Sequence, residues 1–151
     1  MAKRLNYYQA SPEAMKAMLA LEEATKALSI PRDLSELVKV LVSQINGCAY
    51  CLNMHAVDAR AVGVSQQKLD VVAAWWESPV FDPRERAALA WADALTRLET
   101  SRVPDAAYQA LASVFTPQEC VDLTLVINTI NAWNRFAVGF RSEHPLRKDA
   151  G

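Results

Sequence analysis

Leu34-Ser35-Glu36-Leu37-Val38-Lys39-Val40-Leu41-Val42-Ser43-Gln44-Ile45-Asn46-Gly47-Cys48-Ala49-Tyr50-Cys51-Leu52-Asn53-Met54-His55 holds one helix, its stop and the head of the next. Leu34, Leu37, Val38, Leu41 and Ile45 recur at helical spacing, which predicts a helix from about residue 34 to Asn46. Gly47 is the natural stop, because glycine enters the left-handed region without a Cβ penalty. A further helix follows from about Ala49 to Val62, closed by Gly63.

The start and stop signals on either side repeat this pattern. Ser11-Pro12-Glu13 opens a helix to about Leu28, with proline at a first-turn position where its missing donor costs little. Ile30-Pro31-Arg32-Asp33 is a connector. Ser65 caps a helix running through Leu69, Val72 and Ala73 to Trp76. Asp82-Pro83-Arg84-Glu85 and Thr116-Pro117-Gln118-Glu119 are capping-box patterns. The first opens a helix through Leu89, Ala92 and Leu95, and the second a long helix to about Phe140. Pro104 starts a short one between them. Strand alternation persists nowhere, so the expectation is an all-α bundle of about six to seven helices forming one domain over residues 1–151.

With 151 residues and 52% hydrophobic content, the chain can bury a self-supporting core without disulfides or metal. A formal net charge of −1 gives no electrostatic reason to expect nucleic acid or an anionic membrane. The basic residues are scattered apart from Arg147-Lys148. No apolar run approaches the roughly 18 residues of a membrane span, and no signal-peptide pattern is visible. The expected location is cytoplasmic, where structural disulfides are rare and a close cysteine pair reads as catalytic or metal-binding.

Cys48, Cys51 and His55 fall within about 60° of one another on a helical wheel. They stand at a helix N-terminus, whose unpaired N–H groups carry roughly half a positive charge. Such settings lower a thiol pKa from about 8.5 into the range of about 3.5 to 7.5. His55 is placed to accept the Cys51 proton or hold a water, and Cys48 can close a disulfide once Cys51 is oxidised. A zinc site would use the same residue types, with Cys120 and His144 as the remaining distant candidates. Core cysteines beside a buried histidine are a second alternative. Covalent c-type haem is excluded, because Leu52 stands where the histidine must be. Glu36 shares a polar arc with Lys39, Ser43 and Asn46, and from spacing alone such an arc reads as a solvated face.

The run from Glu36 through eleven residues to Cys48-Ala-Tyr-Cys51, then three residues to His55, resembles the alkylhydroperoxidase D (AhpD) branch of the carboxymuconolactone decarboxylase superfamily. The core resemblance spans about residues 34–98, and Asn131-Ala-Trp-Asn134-Arg135 also looks like the peroxidase-related members. The resemblance implies an all-α fold assembled as a homo-trimer or homo-hexamer. It implies a peroxidatic Cys51, a resolving Cys48 and a Glu36–His55 proton relay acting through water, with no cofactor and no metal. A hydroperoxide would be the substrate, and the reductant a dithiol donor, lipoylated protein or thioredoxin-like. Family members carry a histidine directly before the second cysteine. Here that place is Tyr50, a candidate substrate-binding residue or a packing one. The alternatives are carboxymuconolactone decarboxylase-like chemistry, which does not need the cysteine pair, and a non-catalytic redox-sensing module.

Four further features are expected to be structural. Cys120 reads as core filler, His144 as solvated, and Trp75-Trp76 as an anchor or subunit contact. Asn128, Asn131, Asn134 and Arg135 read as an interface polar network or, for Arg135, a carboxylate-binding group.

Overall fold

The structure, a computed structural model, describes residues 2–146. The basic pair Arg147-Lys148 lies outside the described residues. Every regular element among the described residues is helical: α1 (Tyr7–Ala10), α2 (Pro12–Thr25), α3 (Arg32–Ile45), α4 (Ala49–Ala61), α5 (Gln66–Val71), α6 (Pro83–Thr96), α7 (Leu98–Ser101), α8 (Asp105–Ala112) and α9 (Pro117–Phe140). The seven longer helices are those expected from the sequence. α1 and α7 are single turns of four residues, too short to leave a periodic signal.

Two sequence-based ends move. The first long helix stops at Thr25 rather than near Leu28, where the chain tightens through Ala27 N to Ala24 O and Leu28 N to Thr25 O bonds. The helix after Ser65 gives way at Val72 to a three-residue 3-10 turn ending at Ala74. Both capping boxes form with reciprocal bonds, Asp82 with Glu85 and Thr116 with Glu119. Satisfying two orphan N–H groups this way fixes where α6 and α9 begin.

α3 is the centre of the bundle, packed against α4, α6 and α9. Its apolar stripe is buried at Leu34, Leu37, Val38 and Leu41, with Val40 and Val42 buried beside it. Each such side chain stabilises the fold by about 1.5–3 kcal/mol through the apolar area it removes from water. The polar arc is buried too, which corrects the solvated-face expectation: Glu36 is 9% exposed, Lys39 6% and Ser43 0%. Its cover comes from α2 and α9. Asn134 donates to Ser43 at 3.1 Å, and Asn46 donates to the side-chain oxygens of Asn131 and Asn134 at 3.0 and 2.9 Å. The asparagine run therefore stitches α3 to α9 within one chain, while Asn128 and Arg135 are exposed.

The N-terminal segment is tied across the end of α9. Arg4 donates from its backbone and side chain to Phe140 and Gly139, and the Tyr7 ring packs on Phe136 and Phe140. This sets Tyr7 and Tyr8 of α1 in the wall of a cavity. No helix among the described residues is long and apolar enough to cross a membrane.

Candidate active site

The cysteine pair is placed by the turn between α3 and α4. Gly47 sits at φ 65°, and this reversal lets Cys48 N donate back to Ser43 O at 2.9 Å. Cys48 becomes the N-cap of α4, its sulfur accepting from Cys51 N at 3.3 Å. Cys51 thus lies in the first helical turn, within reach of the dipole's positive end. The two sulfurs are joined as a disulfide, with Cα atoms 5.4 Å apart.

The two cysteines are not equivalent. Both are buried, at 1% and 2% exposure, yet only Cys51 lines the cavity of about 570 Å³ between α1, α2, α3, α4 and α9. That volume lies within the usual range for small-molecule pockets, about 300–1,000 Å³. His55, one turn along α4 from Cys51, and Glu36 from α3 share its wall. Tyr50 also lines the cavity, half-buried, and packs against the core.

Glu36 and His55 are in direct contact, Oε2 to Nδ1 at 2.8 Å. An ionised Glu36 places the imidazole proton on Nδ1 and leaves Nε2 as the basic nitrogen, the tautomer a general base requires. Behind Glu36 lies a buried chain of charge. Lys39 Nζ donates to Glu36 Oε1 at 3.1 Å and to Glu22 Oε1 at 3.2 Å. Trp133 Nε1 donates to Glu22 Oε2 at 3.1 Å. Burial pushes the Glu36 carboxyl up, but the hydrogen bond and charge of His55, then Lys39, hold it below its ordinary value. Burial likewise pushes the Lys39 ammonium down, and Glu36 and Glu22 overcome it, leaving Lys39 above its ordinary value.

The structure brings Cys48, Cys51, His55, Glu36 and Tyr50 together. It keeps the other candidates apart: Cys120 is half-buried on α9 with its sulfur near Phe115 O, and His144 bonds only to Pro145 O among the described residues. Trp75 is half-buried and Trp76 is 54% exposed. Metal-capable side chains gather at Glu36, His55 and Asp58, within 4.8 Å of one another. This group contains no sulfur, so it is not the zinc set considered from the sequence. The Lys39 ammonium 3.1 Å from Glu36 opposes a second cation there. Glu22 and Trp133 carried no sequence signal, because each reaches the site only through tertiary packing. Lys39 did carry one, sitting three residues after Glu36 on the same helical face.

Residues 12–94 match the model of the Carboxymuconolactone decarboxylase family. The uncharacterized protein YdfG of Bacillus subtilis is 42% identical over 138 residues, 91% of this chain and 94% of that protein. The chain belongs to the carboxymuconolactone decarboxylase family. Within it, the fold is AhpD-like. An Agrobacterium tumefaciens protein of unknown function, provisionally described as the antioxidant defence protein AhpD, superimposes with a TM-score of 0.94 at 43% identity. That match covers 97% of this chain and 100% of the other. An uncharacterized peroxidase-related protein from Ralstonia eutropha JMP134 shares the fold at a TM-score of 0.80 and 23% identity, over 91% of this chain and 74% of that one.

Proposed function

We propose that this family member is a thiol-dependent peroxidase that reduces hydroperoxides through a Cys48/Cys51 dithiol–disulfide cycle. The observation that carries the reading is the asymmetry of the pair: Cys51 opens onto the cavity beside His55 and Glu36, and Cys48 does not. In the reduced protein, His55 Nε2 takes the Cys51 proton and Glu36 steadies the imidazolium that results. The thiolate attacks the terminal peroxide oxygen, the O–O bond breaks, and the alkoxide takes the proton from the His55 imidazolium and leaves as alcohol. Cys51 is then a sulfenic acid. The Cys48 thiol attacks that sulfur, water leaves, and the disulfide forms. A dithiol donor, lipoylated or thioredoxin-like, exchanges with the disulfide and restores both thiols.

The cavity wall supports an organic peroxide over hydrogen peroxide, since Tyr7, Tyr8, Leu19, Met54 and Trp133 offer an apolar body site. Tyr8, Leu19 and Met54 stand 47%, 50% and 42% exposed, an apolar rim that a neighbouring subunit of a homo-trimer or homo-hexamer would cover. The cytoplasm, with its reducing thiol pool, is the compartment in which this cycle turns over.

Steady-state peroxide consumption with a dithiol donor tests the cycle. Cys51→Ser is expected to abolish turnover, and Cys48→Ser to react once and stop at a sulfenate. Full turnover by Cys51→Ser would overturn the reading.

A further inference from the structure

Lys39 is a buried cation that the cycle above leaves without a task. Its side chain is 8% exposed, and it bridges Glu36 on its own helix to Glu22 on α2. Trp133 of α9 anchors the far oxygen of Glu22. Two carboxylates within 3.2 Å of one ammonium nitrogen are mutually repelling charges in a water-poor site. Without the cation, the buried Glu36 loses the charge that offsets its desolvation and faces the repulsion of Glu22, which favours its protonated form. A protonated Glu36 no longer draws the proton of His55 to Nδ1 with a full charge, and the tautomer that frees Nε2 loses its lock.

We propose that Lys39 is a positioning residue: seated between Glu36 and Glu22, it offsets their mutual repulsion and, through Glu36, holds His55 ready to take the Cys51 proton. This rests on the relay reading of Glu36 and His55. The other charged groups on the same cavity wall are Lys26 and Arg32, from α2 and α3, and Asp58 from α4; α1 adds the phenols of Tyr7 and Tyr8, α4 that of Tyr50, and α9 no charge. Lys26 is paired with Glu23 at 2.6 Å, and Arg32 and Asp58 are both exposed. Lys26 and Arg32 are solvent-screened, and Asp58, an anion within 4.8 Å of Glu36 and His55, adds to the negative charge that Lys39 offsets, so none of them replaces Lys39 as the buried counter-charge.

The test is the pH dependence of iodoacetamide alkylation at Cys51 in the reduced protein, read by peptide mass spectrometry so that Cys48 and Cys120 are counted separately. Lys39→Met keeps the aliphatic stem and removes the charge. It is expected to move the acid limb of Cys51 reactivity upward by about one pH unit or more. Lys39→Arg is expected to titrate like the native protein. Adding Glu22→Gln to Lys39→Met removes the repulsion and is expected to return at least half of the shift. A Lys39→Met profile that matches the native one, or a double variant as shifted as the single, overturns the proposal, because a packing role is not rescued by deleting Glu22. If Lys39→Met fails to fold, Glu22→Gln alone decides: Lys39 then serves Glu36 only, so the limb moves downward, and an unmoved or raised limb refutes the role. The readout needs no peroxide. The shift without hydroperoxide turnover refutes the peroxidase cycle and keeps the Lys39 role, and turnover without the shift does the reverse.

Discussion

Replacing Glu36 with glutamine keeps the shape of the side chain and removes its charge. In the native site the carboxylate accepts from His55 Nδ1 at 2.8 Å and from Lys39 Nζ at 3.1 Å. An amide oxygen still accepts from the Nδ1–H, while the amide NH2 then faces Lys39 and leaves that ammonium to Glu22, so the His55 contact survives and the charge assistance goes. A hydrogen bond to a charged partner stabilises by about 1.5–3 kcal/mol and a neutral one by about 0.5–1.5. In the proposed relay, the imidazolium formed when His55 takes the Cys51 proton would therefore lose about 1–2 kcal/mol, a 5- to 30-fold fall in thiolate reactivity at pH 7. Lys39 keeps Glu22 at 3.2 Å, so no buried charge is left alone. The stability cost accordingly stays below the roughly 3–5 kcal/mol of a fully broken buried pair. The assay is stopped-flow oxidation of the reduced Glu36→Gln protein by an organic hydroperoxide, with urea unfolding run on the same sample. A folded variant that reacts within about twofold of the native rate, less than 0.5 kcal/mol, refutes the relay.

Three other outcomes follow from the same contacts. Asn134 is 1% exposed and bonded to Ser43 and Asn46, so Asn134→Leu strands buried polar partners. It is expected to cost about 2–3 kcal/mol in chemical denaturation, and a change below about 0.5 kcal/mol would show that the network is not what joins α3 to α9. The Glu36 carboxyl lies below its ordinary value of 4.5, so its ionised form adds stability above that pH, lost as pH falls from 4.5 through the lower folded value. The urea-midpoint gap between the native protein and Glu36→Gln is thus expected to stay open between pH 5 and 7 and to narrow as pH falls below 4.5; a gap unchanged at about pH 3 contradicts the assignment. Val103 sits at φ 46°, which is costly for a β-branched residue, and Val103→Gly relieves that strain. An unchanged or raised melting temperature, by up to about 3 °C, is expected, and a clear fall would show that the Val103 side chain outweighs the strain.

The parts of this fold that were legible in the sequence are those fixed by local chemistry. Capping boxes at Asp82 and Thr116, glycine stops at 47 and 63, and the α3 stripe all act within a few residues, so the helices they bound could be placed. The single turns α1 and α7 could not, because four residues leave no period to read. The cysteine–histidine grouping was legible for the same local reason, as Cys48, Cys51 and His55 share two turns of α4. Glu36 needed more than spacing. Its arc with Lys39 and Ser43 carries the pattern of a wet surface, and only the packing of α2 and α9 turns it into a buried charge network. Glu22 and Trp133 lie 14 and 97 residues from Glu36 along the chain, and no periodicity links positions that far apart.

In the proposed cycle, Cys51 is the sulfur that meets the oxidant. Reduced protein is mixed with less than one equivalent of an organic hydroperoxide in the presence of dimedone, and the adducts are located by peptide mass spectrometry over time. The first label is expected on Cys51, with the Cys48–Cys51 disulfide replacing it as the trap is diluted out. Label arriving first on Cys48, or on both sulfurs no faster than on free cysteine, would contradict it.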